Sequence, residues 1–287
     1  MDWLVERLTG AIGHILRSAT WQFEGYGWIV LGFFPLVFVV DAILGRKVHP
    51  WTPRLAKTVA VTLALYFMNG AVYPILLTGA HRVRDGYVAL GIPHLPTSIW
   101  EGLPRWAVGL FAIVAYDFSA YWTHRAMHAK WIWPIHAIHH SDPEVIAITT
   151  LRVHALEGIF MFLCNVLFLS WLGLPGGVIG VAGVLVNIHN QYVHVNVDWN
   201  HGPLQHVLAS PRFHRWHHAD HPKAHGKNLS NLFPVWDLLF GTYYNPSACR
   251  ERMGSEGVPE NDVVKLMLWP FAEWARMLGR VFRPAKE

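Results

Sequence analysis

Long apolar stretches dominate the pattern of the chain between residues 28 and 197. They cover 28–44, 58–80, 106–123 and 158–197, and the last is 40 residues without Asp, Glu, Lys or Arg. A membrane-spanning helix needs about 20 apolar residues, whereas one helix over the whole last stretch would measure about 60 Å. That stretch is therefore predicted to form two helices that turn near Pro175. The pattern predicts five membrane crossings, or three crossings and a re-entrant hairpin.

The predicted fold class is an all-α integral membrane protein with about four to five transmembrane helices and a cytoplasmic helical cap that carries the histidine boxes described below. Short loops rich in Lys and Arg face the cytoplasm. The loop after the first stretch carries Arg46, Lys47, Arg54 and Lys57. With this loop inside, alternation of the crossings places the later histidine-rich segments on the cytoplasmic side too.

Three regions follow from this pattern: N-terminal membrane helices over 1–105, a central region over 106–245 with the transmembrane hairpin 158–197, and a C-terminal amphipathic tail over 246–287. Within the tail, residues 262–282 place apolar side chains at near-helical spacing with basic residues between them. This spacing predicts either an amphipathic helix at a membrane interface or a core helix of the cap. Pro270 predicts a kink in that helix.

Composition supports these predictions and excludes several classes of protein. Hydrophobic residues make up 53% and charged residues 15%, whereas soluble domains carry about 25% charged residues. With 14% aromatic residues, the chain is not disordered. The net charge of +4 is spread along the chain, which favours contact with lipid headgroups over nucleic acid. The two cysteines cannot form a disulfide framework.

Histidine is the unusual residue, because 15 of the 19 histidines lie between residues 124 and 225. Nine of them lie in the HxxxH motif at 124–128, in two HxxHH motifs and at the end of the last apolar stretch. The candidate metal ligands in these motifs are His124, His128, His136, His139, His140, His194, His214, His217 and His218.

The spacing of these histidines has a direct physical meaning. Residues three and four apart share one face of a helix, so each motif can aim two or three imidazoles at one ion. Neutral imidazole is a common metal ligand and suits iron, zinc and copper. Nine nitrogens are too many for one ion and about right for two. No HExxH and no Glu-x-x-His is present, which argues against a zincin-type protease and a carboxylate di-iron bundle.

From 106 to 244, the order of these motifs resembles the fatty acid hydroxylase/sterol desaturase superfamily. The match includes HRxxH, HxxHH, the histidine after the hairpin, HRWHH and the closing sequence WDLLFGTY. The resemblance implies a di-iron, O2-dependent membrane oxidoreductase that hydroxylates a C–H bond of a fatty acyl chain, an alkyl chain or a sterol-like lipid. It assigns the nine histidines as iron ligands. Some members have a further histidine where this chain has Asn190.

Several alternatives stay open at this stage. A desaturase of the same superfamily uses the same site, and a polytopic metal transporter or a metal-binding scaffold also combines apolar helices with histidine clusters. No flavin or nicotinamide motif is visible, so electrons are expected from an external cytochrome or ferredoxin. Zinc is an alternative occupant of a purified sample. Asp117 and Asp237 are candidates for hydrogen bonds to ligand imidazoles, and the sequence assigns no role to His154, His189, His221 or His225.

Overall fold

Most of the longest helices follow the apolar stretches of the sequence. A computed structural model of the chain describes residues 52–281, apart from 71, 73–75, 77–78 and 81. The α-helices are α1 Pro53–Gly70, α2 Val83–Ala89, α3 Arg105–Met127, α4 Trp133–His136, α5 Ala155–Trp171, α6 Gly176–Val193, α7 Pro211–His218, α8 Val235–Leu239 and α9 Val263–Val281. Short 3₁₀ helices lie at Thr97–Trp100, His139–Ser141, Ala147–Leu151 and Gly202–His206.

The described residues contain no β-strand. Extended pairing is limited to a single β-bridge between Ala219 and Met253. The all-α part of the predicted fold class is therefore confirmed for this part of the chain.

The turn between α5 and α6 depends on one glycine. Gly173 has a φ of 70° and a Cβ there would collide with the carbonyl oxygen of Leu95, so a left-handed residue without a side chain is required. Pro175 then precedes the first turn of α6. The turn expected near Pro175 thus lies between two separate helices.

Helix α3 packs along both α5 and α6 through small side chains. Ala112 and Ala115 of α3 are buried with Leu169 of α5 and Ala182 of α6. A Cβ on Gly183 of α6 would lie 3.2 Å from the ring of Tyr116. Small residues at these positions allow the helix backbones to approach closely, which brings the C-terminal ends of α3 and α6 to the same region.

A second layer, formed by α1 and α9, covers the segment that joins α4 to the following 3₁₀ turn. Val61 and Leu65 of α1 and Leu266 of α9 form one core with Ala137 and Ile138. The first HxxHH motif, which includes Ala137 and Ile138, is therefore sealed from solvent by two helices distant in sequence.

Helix α9 lies in the segment of the tail where a helix was expected, but with a different inner face. The residues it buries are Leu266, Pro270 and Met277. The expected apolar stripe instead points outward, since Val264 and Leu268 are 67% and 58% exposed. The helix continues through Pro270, at the cost of one backbone hydrogen bond.

The prediction of an integral membrane protein is wrong for the described residues, because none of their helices combines the length and the apolar character needed to cross a bilayer. Helix α5 is apolar but has 17 residues, about 26 Å at 1.5 Å per residue, against a hydrocarbon layer of about 30 Å. Helix α3 contains Arg105, Asp117 and Arg125. Helix α6 becomes polar in its last two turns, where Asn187 and Gln191 lie.

The two remaining predicted spans are 28–44 and 58–80. The stretch 28–44 lies outside the described residues, and α1 ends at Gly70 and carries Arg54 and Lys57 in its first turns. The orientation assigned from loop charges rested on these crossings. The described chain therefore gives no support to a cytoplasmic side for the histidine motifs.

Candidate metal centre

The nine histidines singled out in the sequence lie together in two groups. Within each group the nitrogen atoms lie within 4.8 Å of one another. The five-histidine group is His124, His128, His136, His140 and His217, and the four-histidine group is His139, His194, His214 and His218.

The five-histidine group is built from three elements. His124 lies in the last turn of α3, and His128 follows one turn later as its C-cap residue. His136 ends α4, and His140 lies in the next 3₁₀ turn. The Nε2 atom of His136 lies 3.0 Å from Nε2 of His124 and 3.2 Å from Nε2 of His140. His217 of α7 completes the group.

The four-histidine group is centred on His194, the C-cap residue of α6. Its Nε2 atom lies 2.9 Å from Nε2 of His214, 3.1 Å from Nε2 of His218 and 3.3 Å from Nε2 of His139. His214 and His218 are one helical turn apart in α7, and their Nε2 atoms are separated by 3.1 Å.

Each HxxHH motif contributes to both groups. In α7, His214 and His218 face one group while His217 faces the other, and in the first motif His139 and His140 separate in the same way. The groups adjoin, because the rings of His140 and His218 stack with centroids 4.5 Å apart. Two neighbouring metal positions are therefore the natural interpretation of this arrangement.

The protonation of three imidazoles is fixed by their other ring nitrogen. The Nδ1–H of His124 donates to the carbonyl oxygen of Leu229 at 2.8 Å, and the Nδ1–H of His194 donates to that of Asn190 at 2.7 Å. The Nδ1–H of His217 donates to the carbonyl of Lys227 at 2.8 Å. A carbonyl only accepts, so in the neutral ring each Nε2 has a free lone pair that points into its group.

Burial keeps these imidazoles neutral. It is the largest cause that lowers the pKa of His124 and of His194 to about 4. Burial also lowers the pKa of the other seven well below the usual value, and repulsion between neighbouring imidazoles adds to the effect. Neutral imidazole is the form that binds a metal.

The donor set fits a metal ion at each group. Two nitrogens bound to one ion at about 2.0–2.1 Å lie about 2.9–3.4 Å apart for ligand angles between 90° and 110°, and the Nε2 separations of 2.9–3.3 Å fall in that interval. The buried Nε2 atoms of His128 and His217 have no hydrogen-bond partner. A cation bound within a group would accept the lone pairs of its Nε2 atoms, which otherwise point at one another.

Glu157 is a functional candidate that the sequence analysis missed. Its Oε1 lies 2.7 Å from Nδ1 of His136, and the two side chains are 2% and 3% exposed. Burial raises the pKa of Glu157. Carboxylates that hold the outer nitrogen of a metal-binding histidine are a common feature of metal sites. The available signal was an acidic residue immediately before the charge-free stretch that begins at residue 158.

The two aspartates proposed as partners of ligand imidazoles act on the backbone instead. Asp117 accepts hydrogen bonds from the N–H groups of Leu232 and Phe233, and burial raises its pKa to about 7. Asp237 accepts hydrogen bonds from the N–H groups of Leu229 and Ser230. Both therefore hold the segment whose Leu229 carbonyl orients His124.

The remaining histidines of this region lie outside both groups. His154 accepts a hydrogen bond from the N–H of Leu156 as the N-cap residue of α5. His189 donates to the carbonyl of Ala209 at 3.0 Å. The Nδ1 of His221 accepts from the N–H of Lys223, and the side chain of His225 is 64% exposed.

These features describe a helical protein with a largely buried, all-histidine site that could hold metal at two positions. Residues 109–242 match the family model described as Fatty acid hydroxylase. This segment is therefore similar to the fatty acid hydroxylase family, and the resemblance inferred from the histidine motifs is confirmed. No solved structure matches the chain.

Several relatives each match about half of the chain or slightly more. An ornithine lipid hydroxylase of Rhizobium tropici is 33% identical over 138 residues, which are 48% of this chain and 42% of the relative. The alkylglycerol monooxygenase of Homo sapiens is 31% identical over 59% of this chain and 36% of its own length. A very-long-chain aldehyde decarbonylase of Oryza sativa subsp. indica is 30% identical over 53% of this chain and 60% of its own length. The chain thus spans less than two thirds of each of these relatives.

Proposed function

We propose that this protein is a di-iron, O2-dependent oxidoreductase that hydroxylates a C–H bond of a lipid. The observation that carries the proposal is the pair of adjoining groups of five and four neutral imidazoles, of which all but the half-buried His128 are buried. Relatives named as an ornithine lipid hydroxylase and an alkylglycerol monooxygenase support the lipid substrate and the reaction.

An all-imidazole donor set favours redox chemistry over hydrolysis. Neutral ligands leave the charge of two cations uncompensated, which favours the binding of anionic oxygen species. Two iron ions held by the nine histidines would supply the activation of O2. Overall, one oxygen atom enters the C–H bond, and the other leaves as water after two electrons and two protons are taken up. The electrons are expected from an external cytochrome or ferredoxin.

The residues of the chain orient the imidazoles and exclude water. The carbonyl groups of Leu229, Asn190 and Lys227 fix the tautomers of three ligands. The histidines of the four-histidine group are all buried, and His194 is 0% exposed. Exclusion of water strengthens electrostatic interactions in the site and limits side reactions.

An apolar groove between α3 and α6 is a candidate position for the lipid chain. Its volume is about 560 Å³, and its lining includes Trp106, Leu110 and Ile113 of α3 and Val181 and Leu185 of α6. Both helices continue from this groove to the histidine groups, so a chain that follows their axis would be directed toward the candidate metal positions.

The proposal is tested by metal content and product analysis on the purified chain. We expect about two iron ions per chain and, with a reducing system and O2, a lipid product that has gained one oxygen atom. His217→Ala and His139→Ala each remove one ligand from one group and should lower both iron content and turnover by at least about tenfold. Iron is measured by elemental analysis and product by mass spectrometry.

His206→Ala is the matched control, because His206 lies in the same region but is exposed and outside both groups. It should retain metal and activity. A product that has lost a pair of hydrogens would assign desaturation instead. A chain without bound metal, or with metal unchanged in both ligand variants, would overturn the proposed site.

A further inference from the structure

The two histidine groups differ in the contact that an acidic side chain makes with their ligands. On the five-histidine side, the Oε1 atom of Glu157 lies 2.7 Å from the Nδ1 atom of His136, with both side chains almost fully buried. In the described part of the chain, no other carboxylate forms a contact of this kind with a histidine of either group. The Nδ1 atom of His194, at the centre of the four-histidine group, instead faces the neutral carbonyl of Asn190.

This difference changes how well each group binds a cation. A carboxylate on the outer nitrogen raises the basicity of the imidazole and offsets part of the positive charge of the metal. The interior has a low effective dielectric constant, so the stabilisation is larger than it would be at an exposed site. The five-histidine group also offers one more nitrogen than its neighbour.

We propose that Glu157 is a positioning residue that makes the five-histidine group the tighter of two unequal metal positions. This inference rests on the proposed function, since it assumes that both groups bind metal. The metal-free chain then fills in a fixed order, with the five-histidine position first and the four-histidine position second.

Glu157 also fixes the geometry of the first HxxHH motif. It lies in the first turn of α5, and α5 packs against α3, which carries His124. The contact with His136 therefore ties the motif to the helix layer that supports the rest of the group. A carboxylate in this place orients the ring of His136 before any ion arrives, which lowers the cost of binding the first ion.

The test is a titration of the chelator-treated full chain with Co²⁺, followed by its visible absorption. We expect two binding steps in the unaltered chain. Glu157→Gln keeps the size of the side chain and an accepting oxygen but removes the charge, and it should weaken the tighter step by about 10–100-fold while the second step stays within about threefold. His214→Ala should remove only the weaker step, which assigns each step to its group.

Glu144→Gln is the matched control. Glu144 lies close to the same motif, and its ion pair with Arg54 is 3.6 Å long and partly exposed. It should leave both steps unchanged. Circular dichroism and the urea midpoint establish that each variant is folded. If Glu157→Gln does not fold, Glu157→Asp serves instead, because it keeps the charge but opens the contact, and it should weaken the tighter step alone.

The outcomes separate this inference from the proposed function. Unchanged steps in Glu157→Gln, or a loss confined to the step that His214→Ala removes, would overturn the role of Glu157 while the metal centre stands. An unaltered chain that binds no Co²⁺ would overturn the proposed function and this inference together. Two Co²⁺-binding steps, of which only the tighter one is weakened in Glu157→Gln, would support the proposed role of Glu157.

Discussion

In the metal-free protein, burial lowers the proton affinity of the imidazoles in the two groups. The pKa values of His124 and His194 are lowered to about 4, whereas an exposed histidine titrates near 6.5. At pH values between about 4 and 6.5, these histidines bind protons in the unfolded chain but stay neutral in the folded chain. Folding stability must therefore fall as the pH falls below about 6.5.

This linkage predicts a steep acid dependence for the chelator-treated protein. Each such histidine costs about 1.4 kcal/mol of stability at pH 5.5, so the urea midpoint should fall sharply between pH 7.5 and pH 5.5. The metal-loaded chain should resist the change, because a bound cation keeps the imidazoles unprotonated. A midpoint independent of pH over this interval would show that the histidines are accessible to solvent in the folded chain.

At the level of residues, the histidine pattern predicts which side chains meet but not how they divide. Spacing of three and four along a helix brings His214 and His218 onto one face, and this follows from helix geometry alone. The separation of His139 from His140 depends on a 3₁₀ turn, and the contact of Glu157 with His136 depends on how α5 packs. Both are tertiary features that a local pattern does not contain.

At the level of elements, the prediction of helices failed only in their length and polarity, because none of the described helices is long and apolar enough to span a membrane. The apolar runs predicted helices correctly for α3, α5 and α6, because apolar periodicity reports burial. It does not distinguish burial against protein from burial in lipid. The turn at Gly173 shortens α5 to 17 residues, and polar residues fill the last turns of α6, so the charge-free run of 40 residues yields helices that pack on α3.

The groove between α3 and α6 makes a prediction at this scale. A Cβ on Gly109 meets no atom within 4 Å, so Gly109→Leu should fold normally and fill the groove. If the groove holds the lipid chain, the KM for lipid should rise at least about tenfold while iron content stays constant, because the new side chain occupies space that the substrate needs. Product formation over a range of lipid concentrations measures this.

Gly86→Leu controls for the loss of a helical glycine. Gly86 lies in α2, and a Cβ there also meets no atom within 4 Å. Both substitutions should raise helix propensity by up to about 1 kcal/mol, so stability alone cannot produce a difference in KM. Equal kinetics in the two variants would exclude the groove as the position of the lipid chain.

At the level of the whole molecule, one buried arginine joins the candidate metal centre to the C-terminal region. Arg152 is 0% exposed, and its Nε–H donates to Oγ of Ser141 at 2.9 Å. Its guanidinium also donates to the carbonyl of Glu260, just before α9. Ser141 directly follows His140, so this side chain connects the first HxxHH motif to a segment more than a hundred residues away.

Loss of the buried Arg152 side chain should destabilise the fold far more than loss of the exposed Arg54 side chain, which also contacts Glu260. Arg152→Met leaves two acceptors without their donor, at about 1–3 kcal/mol for each, and should lower the free energy of unfolding by about 2–6 kcal/mol. Arg54 also contacts Glu260, at 3.4 Å, but its side chain is 57% exposed, so Arg54→Met should cost less than about 1 kcal/mol. Urea denaturation of both variants measures the difference. A similarly small loss in both variants would show that Arg152 does not hold the C-terminal region in place.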